Sequence, residues 1–397
     1  MKGQHQQGDK KTEKTYIIAT NTLFYMYQSN KSKIAKLTTL IDSNTLEGEK
    51  LAEAYLDRAI LKDEDYNSND ALCDINMALS ILPEYYDAVL NRALIKEHLD
   101  DIDGAMKDYE KAIALRPDLS DAYHFRGIAR YEMNDNEGAL QDFDKAIQLD
   151  PQDIEIYSYR AVLKELEDDL HGVIDDCNII LKHRPTDKKA LVQRGFAKVR
   201  LGVMQGMSDL DKCIRLYGRD PFVLIARGRA LFVLLDYEGA VADCTAAIKL
   251  DPKQKEAYDI RARASALLKQ YDLAIEDHDK VLALDPNSPE TLSLRANCYG
   301  QKGDYNTAIE QFNDLIIRYP QESQNYAMRS AALMETGRYA EALPDIDKAI
   351  ELDPKNNMLW QLRAQIKQKM GDEEGALDDM HQAYQLNPFA YMKGPTL

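Results

Sequence analysis

The side chains here able to do chemistry are histidine, cysteine, carboxylate and arginine, and their spacing decides which chemistry is open to them. Seven histidines occur (His5, His98, His124, His171, His183, His278 and His381), and none has a second His or Cys at helical ligand spacing. That leaves no metal-site pattern. His278 falls at a core position of a helix, where packing is the expected role. The five cysteines, Cys73, Cys177, Cys213, Cys244 and Cys298, form no CxxC pair. Zinc and thioredoxin-like readings therefore lack support. Widely spaced free cysteines on helix packing faces act as small hydrophobes and fit a reducing, cytoplasmic compartment, with a bacterial periplasmic location as the alternative. No GxxxxGK[ST] loop, HExxH helix or glycine-rich strand–helix turn is present, so the phosphate and zinc-protease motifs are absent. Carboxylates number 67, but nothing suggests the water-excluded pocket that would make two of them a catalytic pair. The expectation is a protein that is not an enzyme and holds no cofactor and no metal.

The formal net charge of −17 argues against nucleic acid, whose phosphates ask for a Lys/Arg-rich face. No apolar run reaches the roughly 20 residues of a membrane span, so no membrane insertion is expected. The stretch 16–27 follows Lys10, Lys11 and Lys14 in a faintly signal-like way. Thr20, Asn21 and Thr22 interrupt it, and it reads better as a helix of the fold.

Arginine is where spacing becomes informative. Arg58, Arg92, Arg126, Arg160 and Arg194 stand 34 residues apart, Arg227 follows after 33, and Arg261, Arg295, Arg329 and Arg363 resume the 34-residue step. Aspartate follows most of them by 16 residues, at Asp74, Asp108, Asp142, Asp176, Asp243, Asp277, Asp345 and Asp379; Asp209 fills the place in the fifth unit, and Gln311 departs. Ten arginines in a column could bind anions. The matching aspartates favour an internal ladder instead, with Arg92–Asp108, Arg126–Asp142, Arg160–Asp176 and Arg261–Asp277 as its clearest rungs.

Those columns require a periodic scaffold. Pro83, Pro117, Pro151, Pro185, Pro252, Pro286, Pro320, Pro354 and Pro388 close successive units, with Gly218 replacing Pro in the fifth. Between them, each unit shows two segments of about twelve residues with apolar positions at three- and four-residue steps, the mark of amphipathic helices. Small residues after the arginines (Ala93, Gly127, Gly195, Gly228) and at the second-helix start (Ala71, Ala105, Ala139, Ala240) suit a close crossing. Level positions of an antiparallel hairpin would then bring each Arg to its Asp.

The 34-residue length, these small residues, the terminal proline, and aromatics such as Tyr123, Tyr157, Tyr258, Trp360, Tyr109, Phe143 and Phe312 make the chain resemble the tetratricopeptide repeat family. The resemblance spans 52–388 as ten repeats and implies an all-α, right-handed superhelical solenoid whose concave groove is lined by first helices. Residues 1–14 are expected to be a disordered polar tail. Residues 15–51 are expected to form a divergent helical hairpin or cap and a linker, and 389–397 a C-terminal tail. The junction near 206–221 is irregular, with one residue missing between Gly206 and Asp209 and Pro221 just inside the next helix.

With the family's groove geometry, repeats one to four present Glu53, Asp63, Glu64, Asp87, Glu97, Asp121, Glu132, Glu155 and Glu165, an acidic stretch. Repeat five presents Lys189, Val192, Phe196, Val199 and Arg200; repeat six, Phe222, Ile225, Arg229, Phe232 and Val233; repeat seven, Arg263 beside Asp259 and Glu256. This apolar and basic cluster is the expected peptide-binding site, the alternative being that its apolar residues pack a tighter bend. The last repeats turn amide-rich at Asn297, Gln301, Gln324, Gln361, Gln365 and Gln368. A Lys/Asn clamp for C-terminal carboxylates, known in the family, is not carried over, since only Asn297 fits it. The leading expectation is a scaffold holding a protein or peptide partner. The alternatives are self-assembly, as a homodimer through an uncapped last repeat (Leu377, Met380, Tyr384), and service as an accessory subunit of an enzyme complex.

Overall fold

The computed structural model describes residues 30–388; the expected polar tail, the stretch 16–27 and the C-terminal tail lie outside the described residues. Among the described residues there are twenty-one helices and no strand. Helix α1 is described over 30–42. The rest form ten hairpins: α2 (Gly48–Glu64) with α3 (Ser68–Ile81), α4 (Tyr86–His98) with α5 (Ile102–Leu115), α6 (Asp121–Glu132) with α7 (Asn136–Leu149), α8 (Ile154–Leu166) with α9 (Leu170–His183), and α10 (Lys188–Arg200) with α11 (Gly206–Tyr217). They continue as α12 (Pro221–Val233) with α13 (Tyr237–Leu250), α14 (Lys255–Leu267) with α15 (Tyr271–Leu284), α16 (Pro289–Lys302) with α17 (Tyr305–Arg318), α18 (Ser323–Glu335) with α19 (Tyr339–Leu352), and α20 (Asn357–Met370) with α21 (Glu373–Leu386). The chain divides into two compact units, one ending at Ala190 and the other beginning at Leu191. Within each, helices pack against the next in sequence and, more lightly, against the next but one.

Local chemistry explains the hairpins. Second helices start on an Asp whose carboxylate accepts from the N–H three residues on, as in Asp101 to Gly104, Asp135 to Gly138, Asp236 to Gly239 and Asp372 to Gly375, each at 2.9–3.0 Å. This satisfies one of the helix's orphan donors. The residue two before that Asp's helix carries positive φ in most repeats, as at Asp100, Asn134 and Gly303. At the crossings there is no room for side chains: a Cβ on Gly127 would lie 2.7 Å from Phe143 Cε1. Behind the crossings Ala71, Ala105, Ala139, Ala240, Ala274, Ala308 and Ala342 are fully buried, and Tyr109, Phe143 and Phe312 fill the space between layers. At the irregular fifth hairpin, two glycines let α10 and α11 touch through backbone, since a Cβ on Gly206 would meet Gly195 O at 2.3 Å. Gly218 closes α11 at φ +69°, and Asp220 caps α12 ahead of Pro221. Helix α1 is tied to the first hairpin by Arg58 Nη1 donating to Thr38 Oγ1 (3.1 Å) and Asn30 Nδ2 donating to Glu64 Oε2 (3.0 Å).

Candidate functional site

Each arginine of the column except Arg295 forks onto the aspartate of its own second helix. Arg92 donates through Nε and Nη2 to Asp108 at 2.8 and 2.6 Å, Arg126 to Asp142 at 2.9 and 2.7 Å, and Arg261 to Asp277 at 2.8 and 2.7 Å. Arg160 holds Asp176 in the same way, Nε at 2.9 Å. The rungs recur at Arg58–Asp74, Arg194–Asp209, Arg227–Asp243, Arg329–Asp345 and Arg363–Asp379, and Arg295 reaches Gln311 at 3.1 Å. All nine aspartates are buried. The remaining nitrogen, Nη1, reaches back to the previous hairpin: Arg92 to Asn76, Arg160 to Asp144, Arg227 to Asp211, Arg295 to Asp279 and Arg363 to Asp347. One planar side chain thus closes its own hairpin and sets its register on the last. Aromatics three residues earlier lie under the guanidinium, with Trp360 4.7 Å and Tyr157 5.4 Å from their arginines.

A second cation escaped the sequence reading. Lys62, Lys96, Arg130, Lys164, Lys198 and Lys367, each four residues after the column arginine, also bind the ladder aspartate at 2.7–3.1 Å. Its 34-residue step was visible, but repeats six to nine carry Leu231, Ser265, Tyr299 and Leu333 there, which breaks the column. The electrostatics follow this difference. Burial pushes Asp108 up, but hydrogen bonds from Arg92 and Lys96 outweigh it and hold the carboxyl below its usual range; Asp209 and Asp379 behave alike. Asp277, with Ser265 where the second cation would stand, is raised by burial that Arg261 only partly offsets.

The expected peptide-binding residues divide. Lys189 and Arg200 are exposed, at the two ends of α10. Val192, Val199 and Ile225 are buried, and Phe196 is only 8% exposed. These four belong to the core and not to an open anchor site, a correction to the sequence reading. Apolar residues at helical steps look the same whether a neighbouring helix covers them or not. Phe196 is capped as well, because Arg229 lies over its ring at 4.4 Å and pairs with Glu256 at 3.4 Å. Arg263 is engaged by Asp259 (2.9 Å) and Glu290 (2.7 Å). Phe232 is half-buried, edge-on to Tyr237. Phe222 is 46% exposed and Val233 is exposed on the same helix.

In the first unit, Glu53, Glu64, Asp87, Asp121, Glu132 and Glu155 are exposed and Asp63, Glu97 and Glu165 half-buried. Several serve the fold: Asp63 binds His98 Nδ1 (2.8 Å), Glu97 accepts from Tyr109 OH (2.9 Å), and Glu155 pairs with Arg184 (2.7 Å). Burial, with Glu132 nearby, raises the Glu97 carboxyl. On α21, Leu377, Met380 and Tyr384 are exposed.

Four cysteines are buried, and burial pushes the Cys244 thiol up to about 12 and Cys298 to about 11. Cys73 is exposed, contrary to the expectation that all five pack. His278 is buried, which lowers it to about 4. Among the described residues no group of three or more His, Cys, Asp or Glu could hold a metal, and no helix is long and apolar enough to cross a membrane. Surface hollows of about 420 Å³ (Lys33, Lys36, Leu37, Asp57, Ile60, Leu61) and about 360 Å³ (including Arg338, Tyr339 and Met370) set no nucleophile beside a base.

Helix hairpins of one length, stacked in register by a buried Arg–Asp pair, define a helical-repeat solenoid. Within that class the chain belongs to the tetratricopeptide repeat family: models of this repeat match residues 86–119, 127–165, 225–289, 266–333 and 323–356, together just over half of the sequence. Proteins of this family generally act as protein-interaction scaffolds, and the fold is typically non-catalytic. No match was found among curated proteins. Among solved structures, a tetratricopeptide repeat protein from Parabacteroides merdae is 22% identical over 59% of this chain and 94% of its own, with a TM-score of 0.49. Yeast Tom70 is 16% identical over 95% of this chain and 93% of its own (TM-score 0.41). YrrB, described as a TPR protein with an unusual peptide-binding site, is 17% identical over 46% of this chain and 94% of its own (TM-score 0.37).

Proposed function

We propose that this protein is a non-catalytic scaffold that captures a segment of another protein on the first-helix face of its repeats, anchored on α12. The observation that carries this reading is the triplet Phe222, Arg229 and Val233. Steps of seven and four residues place the three on one helix face, and Phe222 and Val233 remain exposed there. Aromatic and arginine side chains are enriched among residues that dominate binding energy. Burying Phe222 fully against a partner would contribute about 1.5–3 kcal/mol. In the first unit, the exposed carboxylates Glu53, Asp87, Asp121 and Glu132 favour basic partner segments, acting more on encounter and orientation than on affinity.

A photo-crosslinking residue placed at position 222 in native lysate is expected to capture a discrete protein, and one placed at Glu276, exposed on a second helix, is not. The Arg229→Glu variant should lose that capture while keeping its helical circular dichroism, with a lower melting temperature because Phe196 loses its cover and Glu256 its partner. Equal capture from both positions, or capture that survives Arg229→Glu, would count against the reading.

A further inference from the structure

The first helices of repeats one to four carry an apolar strip that the later repeats lack. Ile60, Leu94, Ile128 and Val162 each stand two places after a ladder arginine, and all four are half-buried. In repeats six to ten the same place holds Arg229, Arg263, Asn297, Ala331 and Gln365, and in repeat five Phe196 is buried under Arg229. Closing a hairpin therefore does not require a large aliphatic side chain there. Acids flank the strip. Glu53, Asp87 and Asp121 stand seven residues before its members and Glu132 four after Ile128, steps that keep them on the same helix face. These four are exposed and make no ion pair among the described residues. Nearby bases are engaged elsewhere: His98 on Asp63, Arg116 on Asp118 and Arg184 on Glu155. On α1 and these first helices the lysines without an ion pair are Lys33, Lys36 and Lys50, all at repeat one.

The chain itself holds a segment of complementary chemistry. Residues 16–27 carry no charge and are apolar but for Thr20, Asn21 and Thr22. Before them, Lys2, Lys10, Lys11 and Lys14 outnumber Asp9 and Glu13. This segment joins the described structure at Asn30, whose Nδ2 donates to Glu64 Oε2 at 3.0 Å. Glu64 lies one turn beyond Ile60 on α2, so the segment enters at one end of the strip. Neighbouring first helices stand about 8–10 Å apart, which puts repeat four about 24–30 Å from repeat one. The sixteen residues from Lys14 to Asn30 cover about 24 Å even as a helix.

A hairpin with α1 suits this segment less well. Thr38 accepts from Arg58 Nη1 as Asn76 accepts from Arg92 Nη1. In that register Lys33 and Lys36 stand where α3 has Ala71 and Asp74. A first helix could not cross closely over Lys33, and Lys36 would repel an arginine where the ladder needs an acid. Both lysines line the hollow beside Ile60. They oppose the basic end of the segment at repeat one and leave the uncharged stretch 16–27 to pass there.

We propose that residues 10–27 dock along the apolar strip of repeats one to four, with Lys10, Lys11 and Lys14 toward Asp121 and Glu132, so that the chain covers its own first-unit face. An outside segment of basic and apolar chemistry then binds that face only by displacing it. This contact is separate from the α12 anchor, which lies in the other unit.

The test uses the purified full chain with a benzophenone amino acid in place of Phe24. Irradiation followed by mass spectrometry is expected to join position 24 to α4 and α6 within one molecule. Mixing isotope-labelled with unlabelled chains separates products within a chain from products between chains. Lys10→Glu, Lys11→Glu and Lys14→Glu made together should lower the yield about tenfold, and Glu132→Lys should lower it in the same direction. Glu132 is exposed, so its variant should keep the parent's circular dichroism, which separates lost contact from lost fold. Product confined to α1 and α2 makes the segment a cap on the first hairpin and overturns the docking. So do product on second helices alone, no product, or a yield indifferent to both charge changes. Product found only between chains also overturns it, since the occupant is then a second copy. Capture from position 222 is read in the other unit with another probe, so each reading fails or stands without the other.

Discussion

The unit of construction at the residue scale is one arginine with two duties. Its Nε and Nη2 close a hairpin on a buried aspartate, and its Nη1 fixes the previous hairpin's register. A buried pair can be nearly neutral in net stability, yet breaking one side leaves an uncompensated charge and costs about 3–5 kcal/mol. Asp142→Ala is therefore expected to destabilise strongly, because Arg126 and Arg130 both lose their acceptor. The double change with Arg126→Ala should cost clearly less than the sum of the two single changes. Chemical denaturation of all four proteins of the cycle measures this, and strict additivity would sink the pairing argument. The second cation gives a matching pH prediction. Asp108 lies below its unfolded value, so its ionised form contributes stability that is present above about pH 3.9 and lost as pH falls through the folded value. Asp277 lies above its unfolded value, so its contribution is present at low pH and lost as pH rises through the folded value. At pH 7, Asp108→Asn should cost more than Asp277→Asn. Toward about pH 4 the first penalty should shrink and the second grow. Urea midpoints at the two pH values decide it, and penalties that move together contradict the assignment. The ladder itself was legible in the sequence because period and residue type both recur. The second cation was hidden by mixing Lys with Arg and by its absence from repeats six to nine.

At the scale of the element, the hairpin was legible almost throughout. The terminal prolines, the small residues after the arginines and the alanines at the second-helix starts each carry a local physical reason that does not depend on the rest of the chain. What could not be read was exposure. Val192, Phe196, Val199 and Ile225 repeat at steps compatible with an open groove, and in the structure neighbouring side chains cover them. Phe196 shows why: Arg229, which lies over its ring, is supplied by the next repeat 33 residues on, and no helical periodicity within α10 reports it. The apolar turn tips were missed for the opposite reason. Leu234-Leu235 and Leu267-Leu268 continue the hydrophobic pattern of their helices in sequence. Only the positive φ of Leu235 and the end of α14 at Leu267 reveal that the helix has already stopped. Exposure in this protein is thus decided at helix ends and by the next repeat's side chains, while fold is decided inside each hairpin.

For the molecule as a whole, the consequence of repetition is locality. Among the described residues, the substantial helix–helix contacts join consecutive or next-but-one helices within each compact unit. Stability is then a sum of hairpin and interface contributions instead of one core shared by all. Phe143, fully buried between α7 and its neighbours, tests this. Truncating it to alanine should cost about 3–5 kcal/mol, enough to open the third hairpin and strip the second and fourth of their partner. Hydrogen exchange followed by mass spectrometry should therefore show faster exchange across α4 to α9, with α16 to α19 exchanging as in the parent. Loss of protection in α16 to α19 to the same degree would mean one cooperative core and would overturn the additive description. An array that opens locally keeps its distant surfaces intact, so Phe143→Ala is also expected to leave crosslinking from position 222 unchanged.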